Sequence, residues 1–269
     1  MFDALLHGRA LRPRDVADLA FFGVKGALVP SDDAIVSATA ARVRAGWAET
    51  VAAARRLRRE GMATWAAIGI HPARIPLRGL EALLSDLPAE LGRPEVAALG
   101  LVGAGDGGEL AGRVLARQLE LARELRRPVV VATPWRAREQ GVRRALVALR
   151  EAELEPGRAL VTGADQRTVK AIRAVGMLAG VSLSGAAGGE DPLEAAVRIV
   201  KEHGPEGIVL GSDSGTAGGD LLALARAADR LSRAGLSDAV IRRVCGSNAV
   251  AFLGVDPAAV AGGRRRAAR

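Results

Sequence analysis

Two side chains at the predicted ends of buried strands carry groups that can do chemistry, His7 and Asp213. The apolar runs before them, 2–6 and 207–211, are typical of the first and last strands of a parallel sheet. If that sheet closes on itself, the imidazole and the carboxylate face each other. Such a pair can hold a residual divalent metal, can transfer a proton with Asp213 as the general base, or can stabilise the sheet as a buried hydrogen bond.

Glycine-rich segments follow three of the predicted strands, at 103–108, 182–189 and 211–219. Barrel enzymes often bind phosphate with the loops after their seventh and eighth strands, through backbone N–H groups. The pattern therefore predicts a site for a phosphorylated ligand. Its expected residues are loop positions and two arginines that follow strands 3 and 5, namely Gly185, Gly188, Ser214, Gly215, Arg74 and Arg136. Alternatively, the glycines only supply the positive φ angles that short loops need.

Strand and helix patterns alternate along the whole chain. Apolar runs predict strands at 2–6, 24–29, 63–70, 96–102, 128–133, 158–162, 177–183 and 207–211. Helical spacing predicts helices near 14–22, 39–60, 79–87, 109–126, 136–152, 165–175, 191–203 and 219–234. This alternation implies an α/β protein with a parallel sheet, and eight units imply closure into a (β/α)8 TIM barrel. We expect one domain over 1–256, followed by a basic and disordered tail over 257–269.

The composition of the 269 residues excludes several classes of protein. The single cysteine, Cys245, rules out an internal disulfide, and three histidines leave little for a zinc site. The net charge of +8 comes largely from arginines beside glutamates on helices, so we expect no specific nucleic-acid binding. Because no apolar run reaches about 18 residues and the start has no basic region, we expect a cytoplasmic protein and no membrane partner. The oligomeric state stays open.

The strand ends resemble those of one known family. The segment Phe-Asp-Ala-Leu-Leu-His-Gly (2–8) resembles the opening Asp-x-His-x-His strand of TatD-related metal-dependent hydrolases, a family of amidohydrolase-like barrels. Further resembling segments follow in the family's order, at 67–72, 98–103, 118–134, 210–215 and 248–253. The resemblance spans nearly the whole chain and implies an amidohydrolase-like TIM barrel.

The resemblance also implies a metal centre whose ligands are mostly replaced here. The family binds one or two divalent metals with two His on strand 1, Glu on strand 4, His on strands 5 and 6, and Asp on strand 8. The matching positions in this sequence are Leu5, His7, Leu101, Ala132, Gly163 and Asp213. Because a catalytic zinc needs about three protein ligands, we expect no cofactor, or at most a residual divalent metal on His7 and Asp213.

Three interpretations of this pattern stay open. The first is a degenerate TatD-related protein with impaired or absent metal-dependent hydrolysis. The second is a divergent active hydrolase of the phosphoesterase or nuclease type, with replacement ligands from His71, Asp106 and Asp165. The third is a non-catalytic barrel that binds or scaffolds, with a small or phosphorylated molecule as its ligand.

Overall fold

The computed structural model of the protein describes residues 1–31, 39–105, 107–134, 136–184, 190–215 and 219–261. At its centre is a sheet of eight parallel strands in which each strand pairs with the next in chain order. The strands are β1 Phe2–Asp3, β2 Gly26–Pro30, β3 Ala63–Ile68, β4 Val96–Val102, β5 Val129–Val131, β6 Ala159–Thr162, β7 Leu178–Ser182 and β8 Ile208–Gly211. The predicted (β/α)8 barrel is confirmed.

A helix follows each strand and covers the outside of the sheet. These helices are α1 Pro13–Phe21, α2 Ala40–Arg59, α3 Leu80–Leu91, α4 Glu109–Glu124, α5 Arg138–Glu151, α6 Val169–Ala174, α7 Pro192–His203 and α8 Ala223–Arg233. Three short helices complete the chain, α9 Asp238–Arg242, α10 Asn248–Leu253 and α11 Pro257–Ala261. The helix α11 takes up the first part of the predicted tail, whereas 262–269 lie outside the described residues. None of the described helices is long and apolar enough to cross a membrane.

The longest helix, α2, shows how the apolar stripe of a helix positions a loop at the end of the barrel where the strands finish. We call this end the mouth. Thr39 caps its start, since the Thr39 hydroxyl accepts a hydrogen bond from Arg42 N at 3.2 Å. On the buried face, Trp47 is 2% exposed, and its indole Nε1 donates to Gly69 O at 2.8 Å. That contact ties α2 to the residues directly after β3, which lead into the mouth.

Alternation along the strands divides the core into two layers. Val129 and Val131 belong to the larger cluster, which lies between the sheet and the surrounding helices. Val130 and Leu160 belong to the smaller cluster, whose strand residues fill the inside of the barrel. The inside of the barrel is therefore a packed core.

The barrel closes through a short seam between the segments that follow β8 and β1. Leu6 and Ser214 form an isolated parallel bridge. His7 N donates to Ser214 O at 2.8 Å, and Asp213 N donates to Leu5 O at 2.8 Å. The backbones of the two candidate functional residues thus help to close the barrel.

Strand β1 is shorter than the predicted run 2–6 because a side chain takes part in the seam. The Asp3 carboxylate accepts hydrogen bonds from Leu5 N at 3.1 Å and from Ser212 N at 3.0 Å. In a regular pair of strands, these N–H groups would donate to backbone carbonyls. Here they donate to a side-chain oxygen instead. The regular strand therefore ends at Asp3.

Candidate functional site

The strand ends surround a cavity of about 660 Å³ at the mouth of the barrel. Its apolar lining includes Leu5, Leu101, Ala132 and Pro134. Its polar lining includes His7, His71, Thr133, Arg136, Thr162 and Asp213. The strand ends thus bring His7, Asp213 and Arg136 to one cavity, although these residues lie far apart in the sequence.

His7 and Asp213 form a hydrogen-bonded pair across the seam. His7 Nε2 lies 2.9 Å from Asp213 Oδ1, and the two side chains are 7% and 34% exposed. An ionised carboxylate only accepts hydrogen bonds, so the imidazole N–H is the donor. The bond joins two residues that the sequence predicted to face each other.

Two serines that sequence reasoning did not single out complete this group. Ser182 Oγ donates to Asp213 Oδ2 at 3.2 Å, and Ser184 Oγ donates to the same oxygen at 3.0 Å. The signal that could have suggested them is their spacing, since residues two apart at the end of a strand point to the same side if the extended backbone continues. Both oxygens of Asp213 therefore accept hydrogen bonds from the protein.

The surroundings of Asp213 determine its ionisation. Burial by itself raises the pKa of this carboxyl, but the hydrogen bond and charge interaction with His7 lower it, as do the hydroxyls of Ser184 and Ser182. The lowering effects prevail, and the pKa lies below its usual value of 3.8. Asp213 is therefore ionised at neutral pH.

The whole chain is similar to known hydrolases in sequence and in fold. No family model matches the sequence. One relative, an uncharacterised metal-dependent hydrolase of Methanocaldococcus jannaschii, is 24% identical over 256 residues, which cover 94% of this chain and 99% of the relative. A TatD-like protein from Archaeoglobus fulgidus has a crystal structure that matches with a TM-score of 0.78 and 23% identity, over 95% of this chain and 100% of that one. The chain is thus similar over nearly its full length to a metal-dependent hydrolase and to a TatD-like protein.

A second solved structure extends the comparison. The phosphotriesterase homology protein of Escherichia coli, with phosphate in its active site, matches with a TM-score of 0.72 and 15% identity. The match covers 94% of this chain and 98% of that one. The chain thus shares the barrel fold of these solved structures over nearly its full length.

The donor atoms that the structure describes at this mouth do not fit a divalent metal. Among the described residues, no group of three or more His, Cys, Asp or Glu side chains is placed to hold one. The two remaining family ligands, His7 and Asp213, are bonded to each other. A metal would need the lone pair of the imidazole nitrogen whose proton forms this bond.

Of the residues considered as replacement ligands, the two that the structure describes do not complete the set. His71 lines the mouth, but its Nδ1 accepts a hydrogen bond from Ala73 N at 3.2 Å. Asp165 lines a neighbouring cavity, where its Oδ1 accepts from Thr168 N at 3.0 Å. Asp106 lies outside the described residues.

The backbone at Gly163, near the expected strand-6 ligand position, does not favour a side chain. Gly163 has a φ of +74°, a region that side-chain-bearing residues rarely adopt. A Cβ at Gly163 would lie 2.7 Å from Thr133 Oγ1, which itself donates to Thr162 O at 2.6 Å. A histidine at this position would therefore be strained and would displace the Thr133 hydroxyl.

The residues predicted to bind an anion are distributed around the mouth. Arg136 lines the cavity, and Arg74 ends the short turn Pro72–Arg74 at its edge. Ser214 N donates to Ser212 Oγ at 3.1 Å, so this N–H is turned towards the seam. Gly215 packs against the backbone of His7. Of the predicted set, 185 and 188 lie outside the described residues. The anion site stays a prediction.

Beneath the mouth, Asp3 is a buried acid with an unsatisfied oxygen. Its Oδ1 accepts from Leu5 N and Ser212 N, but its Oδ2 has no hydrogen-bond partner among the described residues. Burial raises the pKa of Asp3 from 3.8 to about 6, because two hydrogen bonds compensate only part of the lost hydration. The protonated form is therefore favoured by folding.

We expect the substitution Asp3→Asn to remove a pH dependence of stability between about pH 4 and 6. Because the folded pKa is the higher one, Asp3 favours the folded state below its unfolded pKa of 3.8, and this contribution is lost as the pH rises through about 6. The shift corresponds to about 3 kcal/mol. In urea unfolding, the free energy of unfolding that Asp3→Asn loses relative to wild type should thus become smaller as the pH rises. A difference between the two proteins that is constant with pH would contradict this assignment.

Proposed function

We propose that this TatD-related barrel does not carry out metal-dependent hydrolysis and that its mouth binds a small molecule. The proposal depends on one observation, the hydrogen bond of 2.9 Å between His7 Nε2 and Asp213 Oδ1. The two family ligands that remain are engaged with each other. At Leu5, Leu101 and Ala132, side chains without donor atoms face the same cavity.

The chemistry of Asp213 supports the loss of hydrolysis. A general base works best when its pKa lies near the operating pH, and a hydrolysed substrate needs a group that stabilises its developing charge. The pKa of Asp213 is lowered, and both of its oxygens accept hydrogen bonds from His7, Ser182 and Ser184. Asp213 is therefore a weak general base, because a carboxylate with a lowered pKa has little tendency to take a proton at neutral pH.

The shape of the mouth supports binding. A volume of about 660 Å³ lies within the range of about 300–1,000 Å³ that is typical of small-molecule sites. Leu5, Leu101 and Ala132 offer an apolar surface, and Arg136 places a positive charge beside it. We infer a ligand with an apolar part and an anionic group, which includes phosphorylated molecules.

Metal content and turnover test the proposal together. Protein purified without chelators should contain far less than one equivalent of zinc, manganese or nickel. With each metal added, hydrolysis of a chromogenic phosphodiester should be the same for wild type and for Asp213→Ala, because Asp213 has no part in any residual turnover.

The alternative is a divergent active hydrolase, and it makes the opposite prediction. Stoichiometric metal that Asp213→Ala and His7→Ala both release, with turnover lost in the same variants, would overturn the proposal. Arg136→Gln is the matched control for the mouth, since it removes a charge from the cavity without touching a family ligand position.

A further inference from the structure

A second cavity of about 420 Å³ lies beside the mouth. It is lined by the segments that follow β6 and β7, by the first turn of α5 and by the first two turns of α7, and none of the described residues lines both this cavity and the mouth. Ser182 and Ser184 separate the two spaces, because they line the second cavity and donate to Asp213, which lines the mouth. We call this space the lateral cavity.

Positive charge exceeds negative charge in the lateral cavity. Its lining contains three arginines, Arg138, Arg167 and Arg198, against two acids, Asp165 and Glu190. Arg198 pairs with Glu190 at 2.5 Å. A guanidinium carries five N–H donors, so one such pair leaves donors for a ligand.

Arg138 is the least satisfied of these cations. Its side chain is only 23% exposed, and its nearest carboxylate oxygen, Asp165 Oδ2, is 3.8 Å away. That distance is too long for a hydrogen bond, and Arg138 forms none with the described residues. Asp165 Oδ1 meanwhile accepts hydrogen bonds from Arg167 N and from Thr168 N. A mostly buried guanidinium without hydrogen bonds is costly unless a partner supplies them.

We propose that the lateral cavity binds the phosphate or carboxylate group of a small molecule, with Arg138 and Arg198 as its donors. The planar guanidinium matches both oxyanions in a bidentate manner. Part of the remaining wall is apolar, with Val181, Ala195 and Ile199, against which the rest of the ligand packs. This proposal does not depend on the function proposed for the mouth.

Calorimetric titration of the whole chain tests the site, with inorganic phosphate and succinate as separate probes at constant ionic strength. Saturable binding of one equivalent is expected for at least one probe. Arg138→Gln should weaken that binding by at least about 10-fold, since hydrogen bonds to a charged group contribute at least this factor. Binding of phosphate alone identifies a phosphorylated ligand, and binding of succinate alone identifies a carboxylated one.

One control variant locates the binding. Arg143→Gln removes the same charge from α5 outside the lateral cavity. It should bind the probe like wild type, and the thermal stability of the unliganded variants shows whether each is folded. No binding by wild type overturns the proposal, as does binding that Arg138→Gln leaves unchanged. An equal loss in Arg138→Gln and Arg143→Gln means that only the net charge matters and also overturns it.

Discussion

Restoring three family ligands should convert the mouth into a metal site. The variant Leu5→His, Leu101→Glu, Ala132→His adds three donors to His7 and Asp213, and all five positions line one cavity. Because even a residue outside the first ligand shell changes metal affinity by about 10–100-fold, three direct ligands should raise zinc affinity by at least about 1,000-fold. Zinc retained per chain after gel filtration, and competition with a chromophoric chelator, measure the gain.

The control for this variant introduces polar side chains at the same three positions, but side chains that bind zinc poorly. Glutamine at Leu5, Leu101 and Ala132 places polar groups of similar size in the mouth, but a neutral amide is a poor zinc ligand. The glutamine variant should bind zinc as weakly as wild type. If the His and Glu variant is folded and also gains no zinc, these strand ends do not share a metal centre and their assignment to the family positions is wrong.

The substitution Gly215→Ala should destabilise the protein by about 2–5 kcal/mol. A left-handed conformation costs a side-chain-bearing residue about 1–2 kcal/mol, and forcing an extra carbon into a packed site costs about 1–3 kcal/mol. Gly215 has a φ of +92°, and a Cβ there would lie 2.1 Å from His7 O. The chain would have to shift at the seam, and urea unfolding measures the lost free energy of unfolding.

Gly235→Ala separates the two causes. Gly235 has a similar φ of +84°, but no atom lies within 4 Å of a Cβ built there. This variant should therefore lose only the backbone contribution of about 1–2 kcal/mol. Equal losses for the two variants would contradict the close approach of Gly215 to the backbone of His7.

The features of the fold that depend on local pattern were predictable from the sequence. All eight strands and the helices after them lie close to their predicted ranges, because buried strands and amphipathic helices leave a signal in neighbouring residues. Strand β1 was predicted too long at 2–6, since its early end depends on Asp3 bonding to Ser212 N. The two residues in that contact are 209 positions apart in the sequence, and the local sequence around either one does not predict it.

The candidate site was predictable only in outline, for the same reason. Closure of the barrel was enough to bring His7 and Asp213 together. The predicted pairing did not include Ser182 and Ser184, whose role depends on how a loop turns after β7. The lateral cavity was missed entirely, because Arg138 is one arginine among many, and only its surroundings in the fold show that it forms no hydrogen bond with the described residues.

The seam has a consequence for how this lineage changes over time. His7 and Asp213 connect the first and last strands through their backbones and through their side chains. Folding alone is then enough for selection to retain both, with or without any metal. Replacing either of them removes the hydrogen bond between the two side chains, so across descendants of this chain the two positions should covary. Leu5, Leu101 and Ala132 contribute no such bond to each other and are free to drift one at a time.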